Sequence, residues 1–308
     1  MKILITGVHG FVGSNLVKAL SEVHEIFGLD IIAPQKDGVK LTFGWEHLDG
    51  KEIPNVDAII HLAGKAHDTK NQSAAETYFK VNTDLTKKIY DYFLKSSAKK
   101  FIFFSSVKAA ADRVEGEFVD ENVEPKPVGP YGESKIAAER YIQSKMDKQT
   151  YILRPCMIHG PGNKGNLNLL YGVVSKGIPW PLGAFENRRT FTSIDNLCYI
   201  IEGLLTKEVE SGVYNINDDE AVSTNELIEI ICDAMGKKAH IWRIPRCFMG
   251  AFAKLGGLLH LPLNPERLQK LTENYVSSNA KIKRALGIEK LPVRAKDGLY
   301  KTIKSFER

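Results

Sequence analysis

The amino-acid sequence predicts an α/β fold in which a doubly wound parallel sheet is followed by a smaller C-terminal lobe. Short apolar runs alternate with longer amphipathic segments up to Leu153, as strands and helices do in a parallel sheet. The first run breaks into a glycine-rich turn that opens a helix. From Pro155 onward the segments are short and interrupted by glycine and proline. We therefore expect one domain over residues 1–154 and a substrate lobe over 155–308, with a segment of about 190–220 returning to the first domain.

The first element is a buried strand, Ile3-Leu4-Ile5, followed by glycines at positions 7, 10 and 13. Gly7 permits a tight turn, and Gly10 lets the backbone approach a pyrophosphate. Gly13 lets the next helix, predicted over residues 11–21, pack closely on the strand. With Phe11 and Val12, the first free N–H groups and the positive dipole end of that helix would face the phosphates. The pattern indicates a Rossmann-type nucleotide-binding domain.

The second apolar run, residues 26–29, ends in Asp30, which follows Gly13 by seventeen positions. A carboxylate at this place accepts hydrogen bonds from an adenosine ribose and repels a 2′-phosphate. The next residue is Ile31, where an enzyme that uses NADP would be expected to carry arginine. The sequence therefore predicts NAD rather than NADP as the cofactor.

Tyr131 and Lys135 are four residues apart and lie on one face of a predicted helix. A free tyrosine has a pKa near ~10, and a neighbouring ammonium would favour its phenolate form. Ser106 follows the apolar run 101–104, at the carboxyl end of a strand, where open α/β sheets place their chemistry. We expect Tyr131 to exchange a proton with substrate, Ser106 to hydrogen-bond the reacting oxygen, and Lys135 to tune the tyrosine and hold the nicotinamide ribose.

Several short segments together form a pattern that runs along most of the chain. They are Thr6-Gly7-Val8-His9-Gly10-Phe11-Val12-Gly13, Asp57-Ala58-Ile59-Ile60-His61-Leu62-Ala63-Gly64, Val81-Asn82-Thr83, Pro130-Tyr131-Gly132-Glu133-Ser134-Lys135, Leu153-Arg154-Pro155 and His159-Gly160-Pro161-Gly162. In these segments the chain resembles the extended short-chain dehydrogenase/reductases, the family of UDP-glucose 4-epimerase and of the nucleotide-sugar dehydratases and 4-reductases. The resemblance implies NAD as cofactor and a nucleotide-diphosphate sugar as substrate.

The resemblance also implies which residues form the site. The expected cofactor-binding residues are Gly7, Gly10, Phe11, Val12, Gly13, Asp30, Leu62, Ala63, Gly64, Asn82, Tyr131, Lys135 and Pro155. Arg189 aligns with the arginine that grips the nucleotide diphosphate, and Arg267 with one that completes the diphosphate site. Ser106 and Asn166 are further expected substrate-binding residues. Lys108 could reach the substrate or be a solvated loop lysine.

Departures from the family pattern bear on the reaction. Met157 stands where many 4-epimerases have an asparagine near the nucleotide, and the runs around Ser105 and Arg267 look more like those of bacterial 4-ketoreductases. We therefore expect reduction of a nucleotide-linked, UDP-type 4-keto-6-deoxyhexose for surface polysaccharide synthesis. The alternative is a UDP-glucose 4-epimerase-like enzyme. A non-catalytic NAD-binding regulator or scaffold is a third interpretation, disfavoured because Ser106, Tyr131 and Lys135 are all present.

Composition agrees with an enzyme acting on a small anion. The 308 residues are 43% hydrophobic and 26% charged, with a formal net charge of +5 and no basic run of the kind that binds nucleic acid. Four dispersed cysteines suggest reduced thiols, and no metal site is expected. With no signal peptide or membrane-inserting span recognised, we expect a cytoplasmic protein, and a homodimer as its assembly.

Other conspicuous residues receive structural interpretations. His9 and His159 lie in turns, and His61 is expected to line the cofactor loop without titrating. The segment Arg246–Leu261 is apolar at helical spacing. It could form an interfacial membrane helix, but the favoured interpretation is a helix packed in the substrate lobe.

Overall fold

A computed structural model describes residues 1–32, 34–50, 52–65, 74–163, 165–259 and 263–307. The strands are β1 (Lys2–Thr6), β2 (Glu25–Leu29), β3 (Leu41–Phe43), β4 (Ala58–His61), β5 (Lys100–Phe104), β6 (Gln149–Pro155), β7 (Met157–His159), β8 (Phe191–Ser193) and β9 (Gly212–Ile216). The helices are α1 (Phe11–Leu20), α2 (Ala75–Tyr78), α3 (Leu85–Lys95), α4 (Val107–Ala110), α5 (Gly129–Gln143), α6 (Asn166–Val174), α7 (Ile194–Thr206), α8 (Thr224–Ala234), α9 (Arg246–Leu258), α10 (Pro265–Thr272), α11 (Ala280–Leu286) and α12 (Ala295–Lys304).

Within the described residues, seven parallel strands form one sheet in the order β3-β2-β1-β4-β5-β6-β9. The order reverses between β1 and β4, and a crevice opens at their carboxyl ends, where ligands bind in sheets of this type. The predicted doubly wound Rossmann-type sheet is confirmed. β9 pairs with β6, although many residues separate the two strands in the sequence. The division of the chain at residue 154 stays a prediction.

Both faces of the sheet are buried, which explains why its strands read as uninterrupted apolar runs. In β1, Ile3 and Ile5 point into a core shared with α1, α7 and α11, whereas Leu4 points into a second core shared with α3 and α5. A third apolar cluster lies under α6, α8, α9 and α12 and forms the interior of the part of the chain predicted to be the substrate lobe.

Two helical segments have features that bear on the sequence analysis. Helices α2 and α3 are joined without a break by a π-helical segment, Phe79–Asp84. The helix predicted over 246–261 ends at Leu258, and residues 260–262 lie outside the described residues. The favoured interpretation as a packed helix is confirmed, because Met249, Ala253 and Gly256 are buried against the protein, while an adjacent apolar face of the helix is exposed. Along the described ranges, no helix combines the length and hydropathy that crossing a membrane requires.

Candidate active site

The glycine turn joins β1 to α1 at the centre of the carboxyl-end crevice. Gly7 has a φ of +72°, which lies in the left-handed region, and its N–H donates to Leu29 O at 2.8 Å. A Cβ on Gly13 would overlap the Gly7 carbonyl and lie 2.8 Å from Val8 O. Gly10 precedes α1 without a side chain that could cap it, so the first N–H groups of the helix remain available to an anion. A dinucleotide pyrophosphate fits this turn.

Asp30 follows β2 directly and is 8% exposed. One carboxylate oxygen accepts a hydrogen bond from the His9 N–H at 3.0 Å, and the other accepts one from the Ile31 N–H at 2.8 Å. A carboxylate has about four acceptor sites, so two remain for other donors. The side chain therefore fixes the glycine turn and still has acceptors for a pair of ribose hydroxyls.

The loop after β4 is tied to its neighbours through backbone hydrogen bonds. Thr6 Oγ1 accepts from the Ala63 N–H at 3.1 Å, which holds Leu62-Ala63-Gly64 beside the glycine turn. Asn82 accepts from the Lys65 N–H at 2.7 Å, and its amide nitrogen lies 3.1 Å from both Lys65 O and Ser134 Oγ. Asn82 is fully buried, and it acts on the site by joining this loop to α5.

His61 is buried between the hydroxyls of Thr6 and Thr86, at 2.7 Å and 2.9 Å. Burial, together with the nearby charge of Lys135, lowers the pKa of His61 to about 3. The imidazole is therefore neutral at physiological pH, in agreement with the expectation that it does not titrate.

Ser106, Tyr131 and Lys135 come together at the carboxyl end of β5. Ser106 begins α4, with its Oγ accepting from the Lys108 N–H at 3.2 Å, and its side chain is hydrogen-bonded to the Tyr131 phenol. Lys135 lies one helical turn further along α5, and its Nζ donates to Phe104 O at 2.8 Å. A side chain on Gly64 would lie 3.2 Å from this Nζ, so the loop after β4 and the lysine occupy adjoining space.

The electrostatics of this trio differ from the sequence-based expectation. Burial raises the pKa of Tyr131 above its usual value, and the hydrogen bond from Ser106 opposes this only in part. Burial lowers the pKa of Lys135 to about 8. The expected lowering of the tyrosine pKa by the neighbouring ammonium is not found, and desolvation of the phenol sets the direction of the shift. In the protein alone, the phenol is protonated at neutral pH and can donate its proton.

A buried ionic cluster behind Lys135 was missed at the sequence level. Glu139 pairs with Arg154 at 2.6 Å, and the side chains of both are nine-tenths buried or more. Ser105 also donates to Glu139. The signal that could have found Glu139 is its spacing, because it continues the Tyr131–Lys135 interval of four residues along the same face of α5.

The predicted substrate residues lie on several elements of the lobe. Arg189 is half-buried, and its Nη1 donates to Lys270 O on α10 at 3.1 Å; α10 also carries the exposed Arg267. Asn166 is exposed at the first position of α6. Pro155 is buried where β6 ends. The structure thus brings Arg189 into contact with α10, while Asn166 opens a separate helix of the lobe.

Lys108 contacts the protein at two places, and its predicted contact with the substrate stays a prediction. Its Nζ pairs with the Asp112 carboxylate at 2.9 Å and lies 4.6 Å from the centroid of the Tyr275 ring. Tyr275, another residue that was not predicted from the sequence, donates from its hydroxyl to Ala111 O at 2.7 Å. Lys108 therefore fastens the segment after α4 to the chain that precedes α11.

Comparison with known proteins agrees with this geometry. Residues 3–217 match the NAD dependent epimerase/dehydratase family. UDP-glucose 4-epimerase of Vibrio cholerae is 30% identical over 99% of this chain and 95% of its own length. GDP-6-deoxy-D-talose 4-dehydrogenase of Aggregatibacter actinomycetemcomitans is 28% identical over 76% of this chain and 80% of its own length. The chain belongs to the NAD-dependent epimerase/dehydratase family, so the predicted family and cofactor are confirmed.

Solved structures give the same fold. UDP-glucose 4-epimerase of Thermotoga maritima, solved with UDP-glucose, superposes with a TM-score of 0.76 at 21% identity, covering 100% of this chain and 99% of that one. UDP-glucuronic acid 4-epimerase of Bacillus cereus, solved with NAD, superposes with a TM-score of 0.75 at 21% identity, covering all of both chains. At this level of identity the likeness establishes the Rossmann-type architecture.

Proposed function

We propose that this protein is an NAD(H)-dependent nucleotide-sugar oxidoreductase that reduces the C4 keto group of a UDP-linked 4-keto-6-deoxyhexose. The observation that carries the proposal is the hydrogen-bonded pair of Ser106 and Tyr131, with Lys135 one turn further along α5, at the crevice that the glycine turn borders. The products of such an enzyme serve surface polysaccharide synthesis.

In this proposal each residue of the trio has one task. NADH, when bound, supplies the hydride that C4 accepts. Tyr131 donates its phenolic proton to the sugar oxygen, a role supported by its raised pKa, since the group must be protonated before it reacts. Ser106 holds that oxygen through its hydroxyl. Lys135 holds the nicotinamide ribose and returns a proton toward the tyrosine.

The cofactor and the substrate would be held by separate parts of the site. Gly10, Phe11 and Val12 would offer backbone N–H groups to the pyrophosphate of NAD, and Asp30 would accept from the adenosine ribose. Arg189 and Arg267 would pair with the diphosphate of the nucleotide sugar, because a guanidinium donates two parallel hydrogen bonds to such an anion.

A 4-epimerase is the second candidate, and it is favoured by the nearly full-length similarity to the Vibrio cholerae UDP-glucose 4-epimerase. It would use the same three residues twice in each cycle. Net reduction is favoured by Met157, whose thioether cannot donate the hydrogen bonds of the asparagine that many 4-epimerases have there. The relative from Aggregatibacter actinomycetemcomitans named as a 4-dehydrogenase supports net redox chemistry at C4.

The experiment is to mix purified protein with NADH and a UDP-4-keto-6-deoxyhexose and follow absorbance of the reduced cofactor. We expect one NADH to be consumed for each sugar reduced, with little interconversion of UDP-glucose and UDP-galactose. Rapid interconversion of the two UDP-sugars without added NADH would indicate that the protein is a 4-epimerase. Light scattering on the same preparation tests the expected homodimer.

A further inference from the structure

Helix α9 has two apolar faces, and only one of them packs on the protein. Met249, Ala253 and Gly256 form the buried face. An adjacent face, called here the α9 face, consists of Phe248, Phe252, Leu255 and Leu259, which are 59%, 58%, 51% and 57% exposed. Their spacing of four, three and four residues places them in one stripe along the helix. Large apolar side chains clustered in this way on a surface mark an interaction site.

The segment that contains α9 also has an unusual charge. Residues 234–265 include five Lys and Arg residues and lack Asp and Glu. The other 276 residues carry 37 Lys and Arg and 37 Asp and Glu, so this segment accounts for the whole formal net charge of +5. The apolar stripe therefore lies in a segment that has a net charge of +5 and no acidic side chain, a composition that suits an anionic partner.

Basic side chains and an aromatic side chain of the same segment are also exposed. Lys254 is exposed on α9 itself, and Trp242 is 56% exposed just before the helix. Arg246 begins the helix, with its Nε donating to Ala184 O at 3.1 Å and its guanidinium 5.5 Å from the centroid of the Phe185 ring. Tryptophan and basic residues next to exposed Phe and Leu are the composition of a helix that lies at a lipid–water boundary.

We propose that the α9 face docks on the surface of a bilayer that contains anionic phospholipid. The four apolar side chains would lie among the headgroups and upper acyl chains, with the helix parallel to the surface. The Lys and Arg residues of the segment would lie against lipid phosphates. The protein would rest on the bilayer without crossing it, and its substrate lobe would face the membrane.

Charge complementarity favours a lipid surface over a second copy of this chain. Two copies joined through the α9 face would bring two positively charged segments together, and like charges in a shared interface repel. An anionic bilayer supplies the opposite charge together with an apolar layer deep enough for Phe and Leu side chains. The positive charge of the segment is thus matched by the lipid phosphates, and its exposed apolar side chains are matched by the acyl layer.

Vesicle flotation with the full chain tests the proposal. We expect binding to vesicles in which about a third of the lipid is phosphatidylglycerol to exceed binding to phosphatidylcholine vesicles by at least ~10-fold. The excess should largely disappear in about 1 M salt, where the Debye length is ~3 Å. Equal binding to both kinds of vesicle, or binding to neither, overturns the proposal without the use of any variant.

Two pairs of variants test the surface itself. Phe252→Ser with Leu255→Ser should lower vesicle binding at least ~10-fold, whereas Val23→Ser, at a 67% exposed position on the nucleotide-binding half, should leave it unchanged. Lys238→Glu with Lys254→Glu should lower binding, whereas Lys18→Glu with Lys290→Glu, which changes the net charge equally, should do so much less.

Circular dichroism and light scattering accompany each variant. Folded α9 variants that bind vesicles as well as the wild type overturn the proposal. A second result would also overturn it: the wild type does not bind vesicles, and the α9 variants change their oligomeric state. The α9 face would then be a contact between copies of the chain.

Discussion

Glu139 accepts hydrogen bonds from Arg154 in the protein interior, one helical turn beyond Lys135. The Arg154 Nε lies 3.0 Å and 3.2 Å from the two carboxylate oxygens, and Nη2 lies 2.6 Å from one of them. The carboxylate opposes the effect of burial on the lysine and raises the pKa of Lys135, although burial still dominates. The buried Glu139 carboxylate thus helps to keep the ammonium of Lys135 charged, a group to which we assign a catalytic role under the proposed function.

A pH profile tests this relationship. Loss of the Lys135 proton as pH rises through about 8 should lower kcat/KM, because the ammonium donor is lost. Glu139→Gln removes the charge that supports the ammonium, so the falling limb should move to lower pH by about one unit. The free energy of unfolding should fall by ~3–5 kcal/mol, since Arg154 is left buried and without its carboxylate partner.

Glu133→Gln, at an exposed position of α5, is the matched control and should leave the profile in place. The double variant Glu139→Gln with Arg154→Met leaves no unpaired buried charge, so it should recover the free energy of unfolding. The falling limb of its pH profile should nevertheless stay at the lower pH. An unchanged falling limb in Glu139→Gln would contradict the influence assigned to this carboxylate.

Tyr131→Phe should separate chemistry from binding. The variant keeps the ring and its edge contact with Tyr78, whose centroid is 6.2 Å away, but it lacks the proton donor. Turnover should fall by roughly 10²–10⁴ while NADH binding survives. Tyr141→Phe on the same helix, which loses hydrogen bonds to Asp91 and from Lys145, serves as the control in the absorbance assay. Near-normal turnover in Tyr131→Phe would place the proton donor elsewhere.

Asp30 should set the choice of cofactor. Because the carboxylate faces the turn where the adenosine ribose is expected, NADH should bind at least ~10-fold more tightly than NADPH, or about 1.4 kcal/mol. Asp30→Asn should reduce that ratio, and Asp37→Asn, at an exposed position, should preserve it. Fluorescence titration of both cofactors measures the ratio, and equal affinities in the wild type would refute the assignment.

A methyl group at Gly13 should damage the cofactor turn. Its Cβ would lie 2.8 Å from Val8 O and even closer to the Gly7 carbonyl, so the helix must move away from the strand. We expect Gly13→Ala to weaken NAD binding at least ~10-fold and to cost ~1–3 kcal/mol of stability. Gly172→Ala in α6, where a Cβ meets nothing within 4 Å, is the control by calorimetry. Full NAD affinity in Gly13→Ala would show that the turn tolerates displacement.

The nucleotide-binding half could be predicted because its constraints are local. A strand buried on both faces must be apolar throughout, as Ile3, Leu4 and Ile5 are, and the turn after it needs the backbone freedom of Gly7. The Tyr131–Lys135 interval is likewise a property of one helix. Each of these signals lies within a few consecutive residues.

The remaining features depend on distant pairing or on which surface packs. Glu139 and Arg154 lie on different elements, and their sequence spacing does not encode the pairing. The direction of the Tyr131 pKa depends on burial, which the motif does not report. In α9 both faces are apolar, so periodicity alone could not say that Phe248 and Phe252 would be left exposed.

The position of β9 has a consequence during synthesis. β6 is almost wholly buried and pairs with β9 along Tyr151–Pro155, yet Gly212 follows Pro155 by 57 positions. At ~5–20 residues per second, the ribosome needs roughly 3–11 seconds to supply that partner. Throughout that interval the nascent chain offers an apolar strand edge with unpaired N–H and C=O groups, which another nascent chain could occupy. Translation speed between these two strands, rather than the stability of the finished sheet, would then govern how much of this protein aggregates.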